Sequence, residues 1–365
     1  MHLDGNCVHK DSQSTFGSVL DDGKDSLFVR RGYLSLSGKA FFLNYLIEPE
    51  FADADPSNRR GSAFQNLFLS WTSPAGTVEA GQRKPFHGLD DLTGDNDILM
   101  ISRPFASSAG AFAGGRLREF APGLFYHGDR SGLTWGAGTY RLNAFDTGGP
   151  AGQGASARVT YAPLTTRGES LHLGLSYTWE RPDNGARIGT SAYYAGQPGP
   201  AAQIGLTSGR EPATTLGAEY AGAFGPFFSQ AEFMLQTVHQ AGGSRGQDLF
   251  IYYAEIGYLV TGETRLYDSH TGVFRGPRPR DAWGSLELTA RYDAASNRDV
   301  AAVGGGCGGS PAVLDCDVSE YTLGANYNLN PGSRLMLNYS FGDQDRGRSG
   351  NDRPRAVSMR LQFHF

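Results

Sequence analysis

The last eleven residues, RAVSMRLQFHF, alternate without a break. Val357, Met359, Leu361, Phe363 and Phe365 fall on one face, and Ser358, Arg360, Gln362 and His364 fall on the other. Successive side chains of an extended chain point to opposite faces, so this pattern specifies a β-strand with one apolar and one polar side. The pattern recurs backwards along the chain. Leu335, Leu337, Tyr339 and Phe341 oppose Met336, Asn338 and Ser340. Tyr321, Leu323, Ala325, Tyr327 and Leu329 oppose Thr322, Gly324, Asn326 and Asn328, and Asn-Pro-Gly-Ser makes the tight turn between these two runs. Leu286, Leu288 and Ala290 oppose Glu287 and Arg291, and Leu171 to Trp179 oppose His172, Ser176 and Glu180.

Further strands are expected near 26–38, 39–53, 62–73, 76–84, 116–128, 131–143, 154–164, 213–224, 226–238 and 248–261. A weak first strand lies in an otherwise weakly structured segment, 1–24. Strands of about ten residues with a dyad repeat are the signature of a transmembrane barrel. The connections alternate in length, with short turns at 73–76, 127–132, 165–168 and 225–226, and long loops at 54–61, 144–153, 181–212, 239–247, 295–316 and 343–353. Short turns at one end and long loops at the other fit an outer-membrane barrel. The segment 262–280 breaks the rule, being long where a short turn is due. Residues 85–115 belong to the long-loop side and are large enough to fold into a lumen.

Composition closes off the alternatives. With 51 glycines in 365 residues and 12% aromatics, the chain is neither a helix bundle nor disordered. No apolar run reaches about 18 residues, so transmembrane helices are not expected. A net charge of −5 argues against nucleic acid as a partner. The reading is all-β: one transmembrane antiparallel β-barrel domain spanning 1–365.

The opening MHLDGNCVHKDSQSTF has no basic start and no apolar core, so it does not read as a signal peptide; a removed signal or a truncated start is expected. Cys307 and Cys316 flank a short polar stretch in a Gly-rich loop, a spacing that allows a loop-closing disulfide in an oxidising compartment. No CxxC pair and nearby His supply zinc ligands, so no metal is expected.

On the polar face of a barrel strand a side chain points into the lumen, whereas Arg on the lipid face costs about 2–4 kcal/mol at mid-depth. Parity places Arg31, Arg158, Arg291 and Arg360 inward, and Arg83 joins them on the face of Glu79 and Gly81. Each either attracts anions or braces the wall against an inward Glu such as Glu48, Glu79, Glu180, Glu232, Glu255 or Glu287. Lys84 follows directly. In the long loop, Asp90, Asp91, Asp95 and Asp97 cluster ahead of Arg103; their spacing does not fit an EF-hand, and they read as a lumen-lining acidic loop. None of the eight histidines is followed two residues on by a serine, and GGGCGG at 304–309 lacks the Lys and helix of a phosphate cradle. No catalytic site and no cofactor are expected.

The stretches FVRRGYLSLSGKAF (28–41), VEAGQRKPFHGLDDLTGDNDILMISRP (78–104), YAGAFGPFFSQAEF (220–233) and YYAEIGYLVTGETRLYD (252–268), with the closing Phe365, resemble the phosphate-selective porin O/P family. The resemblance implies a sixteen-stranded, trimeric porin whose third loop folds inward. It matches Arg103 to an arginine that closes this loop, and Arg30 and Arg31 to a pair of early arginines. Phosphate-specific members carry lysines after the Gly-Leu of the loop, where this chain has Asp91 and Asn96. The implied function is passive diffusion of small hydrophilic solutes or ions, anions such as phosphate or polyphosphate among them, through a homotrimer embedded in outer-membrane lipid. A non-channel structural or adhesive barrel is the alternative.

Overall fold

The computed structural model describes residues 1–12, 26–52, 64–108, 120–142, 152–166, 168–183, 189–195, 201–206, 211–239, 246–297, 317–345 and 351–364. Cys307, Cys316, Phe365 and residues 109–115 of the long loop lie outside the described residues.

The chain opens with β1 (His2–Ser12), β2 (Ser26–Arg31), β3 (Leu36–Ala40), β4 (Leu43–Pro49), β5 (Phe64–Ser73) and β6 (Gly76–Arg83). A short helix, α1 (Leu89–Leu92), precedes β7 (Ala121–Arg130), β8 (Leu133–Leu142), β9 (Gly152–Thr165) and β10 (Glu169–Pro182). A small hairpin, β11 (Gly189–Tyr193) and β12 (Ala201–Leu206), leads to β13 (Ala213–Phe224), β14 (Phe227–Val238) and β15 (Gln247–Leu259). A second small hairpin, β16 (Leu266–Asp268) and β17 (Val273–Arg275), precedes β18 (Ser285–Asn297), β19 (Asp317–Asn330), β20 (Ser333–Asp345) and β21 (Asn351–Phe363).

All strands but the four of the small hairpins join one antiparallel sheet, in which consecutive strands are neighbours except β2 and β3, which follow one another along one position. The ring closes through β1, which pairs with β21 from His2↔Gln362 to Ser12↔Asp352 and with β2 on its other side. Closure pairs each strand of the ring on both sides except β2 and β3, which share one place in it, β2 pairing with β1 and β3 with β4; a sheet without free edges is the form that stands in lipid. The N-terminal segment, expected to be weakly structured, thus supplies the closing strand. Main-chain pairing asks nothing of its irregular side-chain pattern.

Among the described residues the sheet counts seventeen strands, where sixteen are expected. The expected run 26–38 is cut into β2 and β3, and the bridge Tyr33↔Glu50 spans the gap. The first hairpin turn falls at Phe41 and Phe42 rather than beside Gly38. Gly38 sits inside β3 opposite Tyr45, and a Cβ there would lie 2.5 Å from the Tyr45 hydroxyl. That glycine makes room for a ring across the strand pair and does not mark a turn.

The alternation appears as two surfaces. In β10, Leu173, Leu175 and Tyr177 are exposed while His172, Ser176, Thr178 and Glu180 are buried. A sheet that is apolar outside and polar inside is built for lipid around it and water within. The interior is partly filled. Phe86, Phe105 and Ala106 of the long loop and Ala192, Tyr194 and Ile204 of the β11–β12 hairpin pack against Phe125, Tyr140, Met234 and Tyr253 of the wall. Leu89 and Leu99 of the loop pack with Phe228, Val273 and Phe274. The segment 262–280, anomalous in the sequence, is therefore a further insertion, which enters from the short-turn end.

Candidate functional site: the constriction

The long loop lies along one wall of the lumen as a strap. Each residue from 96 to 102 has a polar partner in the chain opposite. Gln362 Nε2 donates to the Asn96 carbonyl at 3.3 Å, and Arg265 Nη1 to that of Asp97 at 2.7 Å. Arg334 Nη1 donates to Ile98 and Asn326 Nδ2 to Leu99, each at 2.9 Å. The Met100 sulfur takes the Thr289 hydroxyl, Ile101 N donates to Asn338 Oδ1 at 2.7 Å, and Arg291 Nη1 donates to the Ser102 carbonyl at 2.7 Å. A segment without secondary structure must satisfy its buried peptide groups somewhere, and inward polar side chains of β18 to β21 do most of this. At the loop's start Glu232 accepts Leu89 N and Asp90 N at 2.6 and 3.0 Å. Gly88, at φ +66, lets the chain approach: a Cβ would lie 2.9 Å from Glu232 Oε1.

The loop aspartates turn toward arginines. Arg103 binds Asp90 Oδ1 at 3.0 Å and Asp95 Oδ1 at 2.5 Å, and also donates to the Thr93 carbonyl. Burial works to lower the pKa of Arg103, but Asp95 and Asp90 outweigh it and hold the guanidinium firmly protonated. Asp95 also accepts Arg31 Nε at 3.0 Å. Asp97 Oδ1 accepts Gly276 N at 2.7 Å, and its Oδ2 meets Arg275. Asp91 is buried, and its carbonyl accepts Lys84 Nζ at 2.8 Å.

The β16–β17 hairpin is held from the opposite wall. Arg158 Nη2 donates to the Gly272 carbonyl at 2.9 Å while gripping Glu219 at 2.7 Å. His172 bridges Glu219 and Tyr267, at 3.1 and 2.9 Å. Phe274 packs against Phe228 with ring centroids 5.1 Å apart. Arg275 closes the hairpin on Asp268 at 2.8 Å. Burial works to raise the pKa of Asp268; the Arg275 hydrogen bond leads the contacts that overcome this and leave it below its ordinary value.

Between the strap, the hairpin and the wall of β4 to β9 runs a cavity of about 560 Å³. Arg83, Lys84, Arg158 and Arg275 line it, against the carboxylates Glu48, Glu79 and Asp95. Glu79 is paired with Arg83, and Glu48 accepts the Ser35 hydroxyl at 2.9 Å. Of the residues expected at the site, Arg83, Lys84, Arg158 and Asp95 reach this cavity. Arg103 braces the loop from within. Arg291 pairs with Asp293 at 3.0 Å, and Arg360 is buried on the lumen face of β21. Arg31 points inward because Arg30 is the extra residue of a bulge: β1 pairs His2 with Arg31 and Leu3 with Val29. Arg30 itself is half-buried.

Arg265, Arg275 and Arg334 were not among the expected residues. Arg334 shares the inward parity of Met336 and Asn338, so the alternation carried the signal for it. Arg265 and Arg275 belong to the segment without periodicity and had none.

A closed, lipid-facing antiparallel barrel with a strapped loop and a polar cavity beside it is the architecture of an outer-membrane porin. The whole chain, residues 1–365, matches the family described as phosphate-selective porin O and P, and the protein belongs to that family. Porin O of Pseudomonas aeruginosa is 26% identical over 378 residues, covering 93% of this chain and 82% of that protein. The anion-selective porin of Comamonas acidovorans has the same fold, with a TM-score of 0.58 at 15% identity over 99% of this chain and 98% of that one. The trimer form of OmpT from Vibrio cholerae superposes with a TM-score of 0.55 at 12% identity, over 100% and 99% of the two chains.

Proposed function

We propose that this porin favours small anions, phosphate and polyphosphate among them, and works as a homotrimer of single-domain barrels. One observation carries the reading. Asp91 stands at a loop position where phosphate-specific relatives are expected to have lysine, and the Lys84 ammonium, delivered from the end of β6, lies 2.8 Å from its carbonyl oxygen. An ammonium therefore stands at this point of the constriction despite the acidic residue.

The charge balance supports the same reading. Asp90, Asp95 and Asp97 are each engaged by arginines, which removes the acidic filter that the loop sequence suggests. Arg83, Lys84, Arg158 and Arg275 line the passage with Glu48, Glu79 and Asp95, and Arg158 and Arg275 are also paired behind it, with Glu219 and with Asp97 and Asp268. An anion crossing it exchanges part of its hydration for Arg and Lys donors, held weakly enough to leave again. The family match and the anion-selective and trimeric relatives agree with this reading.

The test is the reversal potential of the purified porin in a planar bilayer under a salt gradient, with phosphate added as a blocker. Anion selectivity with phosphate block is the expected result. Cation selectivity would overturn it, and absence of conductance would favour the occluded, non-channel barrel.

A further inference from the structure

The passage has an apolar stripe that a channel for inorganic ions does not need. Leu46 and Phe68 are directly paired across β4 and β5, both half-buried and both facing the lumen. Their inward neighbours Asn66, Ser70 and Glu48 follow the usual polar rule. Leu92 of α1 and Phe120, at the far end of the long loop, line the same cavity. The charged groups stand beside this stripe. Lys84 Nζ lies 5.5 Å from the Phe120 ring centroid, and the Arg83 guanidinium lies 4.3 Å from that of Phe86. Apolar surface left facing water in a lumen is unfavourable, and a solute with an apolar face covers it. Hydrated inorganic phosphate gains nothing from such a surface. A solute that carries an anionic group and a ring gains from both parts.

Resting on the anion-porin reading above, we infer that the passage selects small organic anions, an aromatic or short aliphatic body bearing a carboxylate or phosphonate, over inorganic anions of the same charge. The anionic group is held by Lys84 and Arg83. The body lies against Leu46, Phe68, Leu92 and Phe120.

The experiment compares phenylphosphonate with methylphosphonate as blockers of chloride current through the reconstituted porin. The two share a headgroup and differ in the ring. Phenylphosphonate is expected to block at about a tenfold lower concentration, the effect of covering a modest apolar area. The double variant Leu46→Ser/Phe68→Ser is expected to abolish the difference while block by methylphosphonate persists. Leu92→Ser, on the loop rather than the wall, reports the same loss if the strand variant fails to assemble. Equal block by the two phosphonates in an anion-selective channel overturns this inference alone. A cation-selective channel overturns the anion-porin reading and this inference with it.

Discussion

Asp97 and Arg275 join two segments that enter the barrel from opposite ends, with Arg275 Nη1 3.3 Å from Asp97 Oδ2. Asp97 belongs to the strap from the long-loop end, Arg275 to the hairpin from the short-turn end. Gly276 N, donating to the other carboxylate oxygen at 2.7 Å, adds a neutral contact to the charged one. Two substitutions separate these contributions. Asp97→Asn retains an acceptor for Gly276 and removes the charge, so the hairpin stays seated and reversal potentials move toward anions. Asp97→Ala removes both contacts and is expected to raise open-channel current noise as well. Because Arg275 is nearly half exposed, the change in thermal stability should stay below about 1 kcal/mol.

The hairpin also sets an acid response. Asp268 has its pKa lowered from 3.8 in the folded protein, with Arg275 the chief partner. A depressed carboxylate stabilises the fold fully above its unfolded value and loses that contribution as pH falls through the folded value. Cleavage of 262–280 by an acid-stable protease should therefore be unchanged from neutral pH down to 3.8 and rise below it. Asp268→Asn should show the higher cleavage at every pH, without the acid step.

Arg158 and Glu219 form a buried pair at 2.7 Å. Removing one partner of such a pair leaves a buried charge uncompensated, at a cost of roughly 3–5 kcal/mol. Arg158→Ala should lower the thermal unfolding temperature of the detergent-solubilised barrel substantially. Arg158→Met combined with Glu219→Leu should recover most of the loss, since replacing both charges removes the unpaired group. A double variant no more stable than Arg158→Ala would contradict the assignment.

Selectivity should follow the neutralisation of the loop. Arg103→Gln leaves Asp90 and Asp95 without their shared arginine and is expected to shift the reversal potential toward cations. Lys84→Glu reverses a charge on the passage itself and should shift it further. If Lys84→Glu leaves the reversal potential unchanged, the ammonium beside Asp91 does not set selectivity.

The barrel was legible because its signal is local. Residues such as Leu173, Leu175 and Tyr177 mark a lipid-facing surface within one strand, and the same parity turned Arg158, Arg291 and Arg360 inward without knowledge of any neighbour. Arg31 reached the lumen by a different route. A bulge at Arg30 reset the parity of β2, and no residue type there announces it. The β16–β17 hairpin has strands of only three residues, too short for any periodicity to show.

The sequence by itself determined that the chain would be a lipid-facing β-barrel of alternating strands with a loop long enough to narrow it, because side-chain alternation depends on nothing beyond the extended backbone. The tertiary structure alone decided which charges face the passage. The strap at 96–102 is satisfied mostly by side chains of Thr289, Arg291, Asn326, Arg334, Asn338 and Gln362, remote in sequence. Whether an aspartate repels anions or braces an arginine depends on that pairing, and ring closure, rather than any local pattern, brings the partners together.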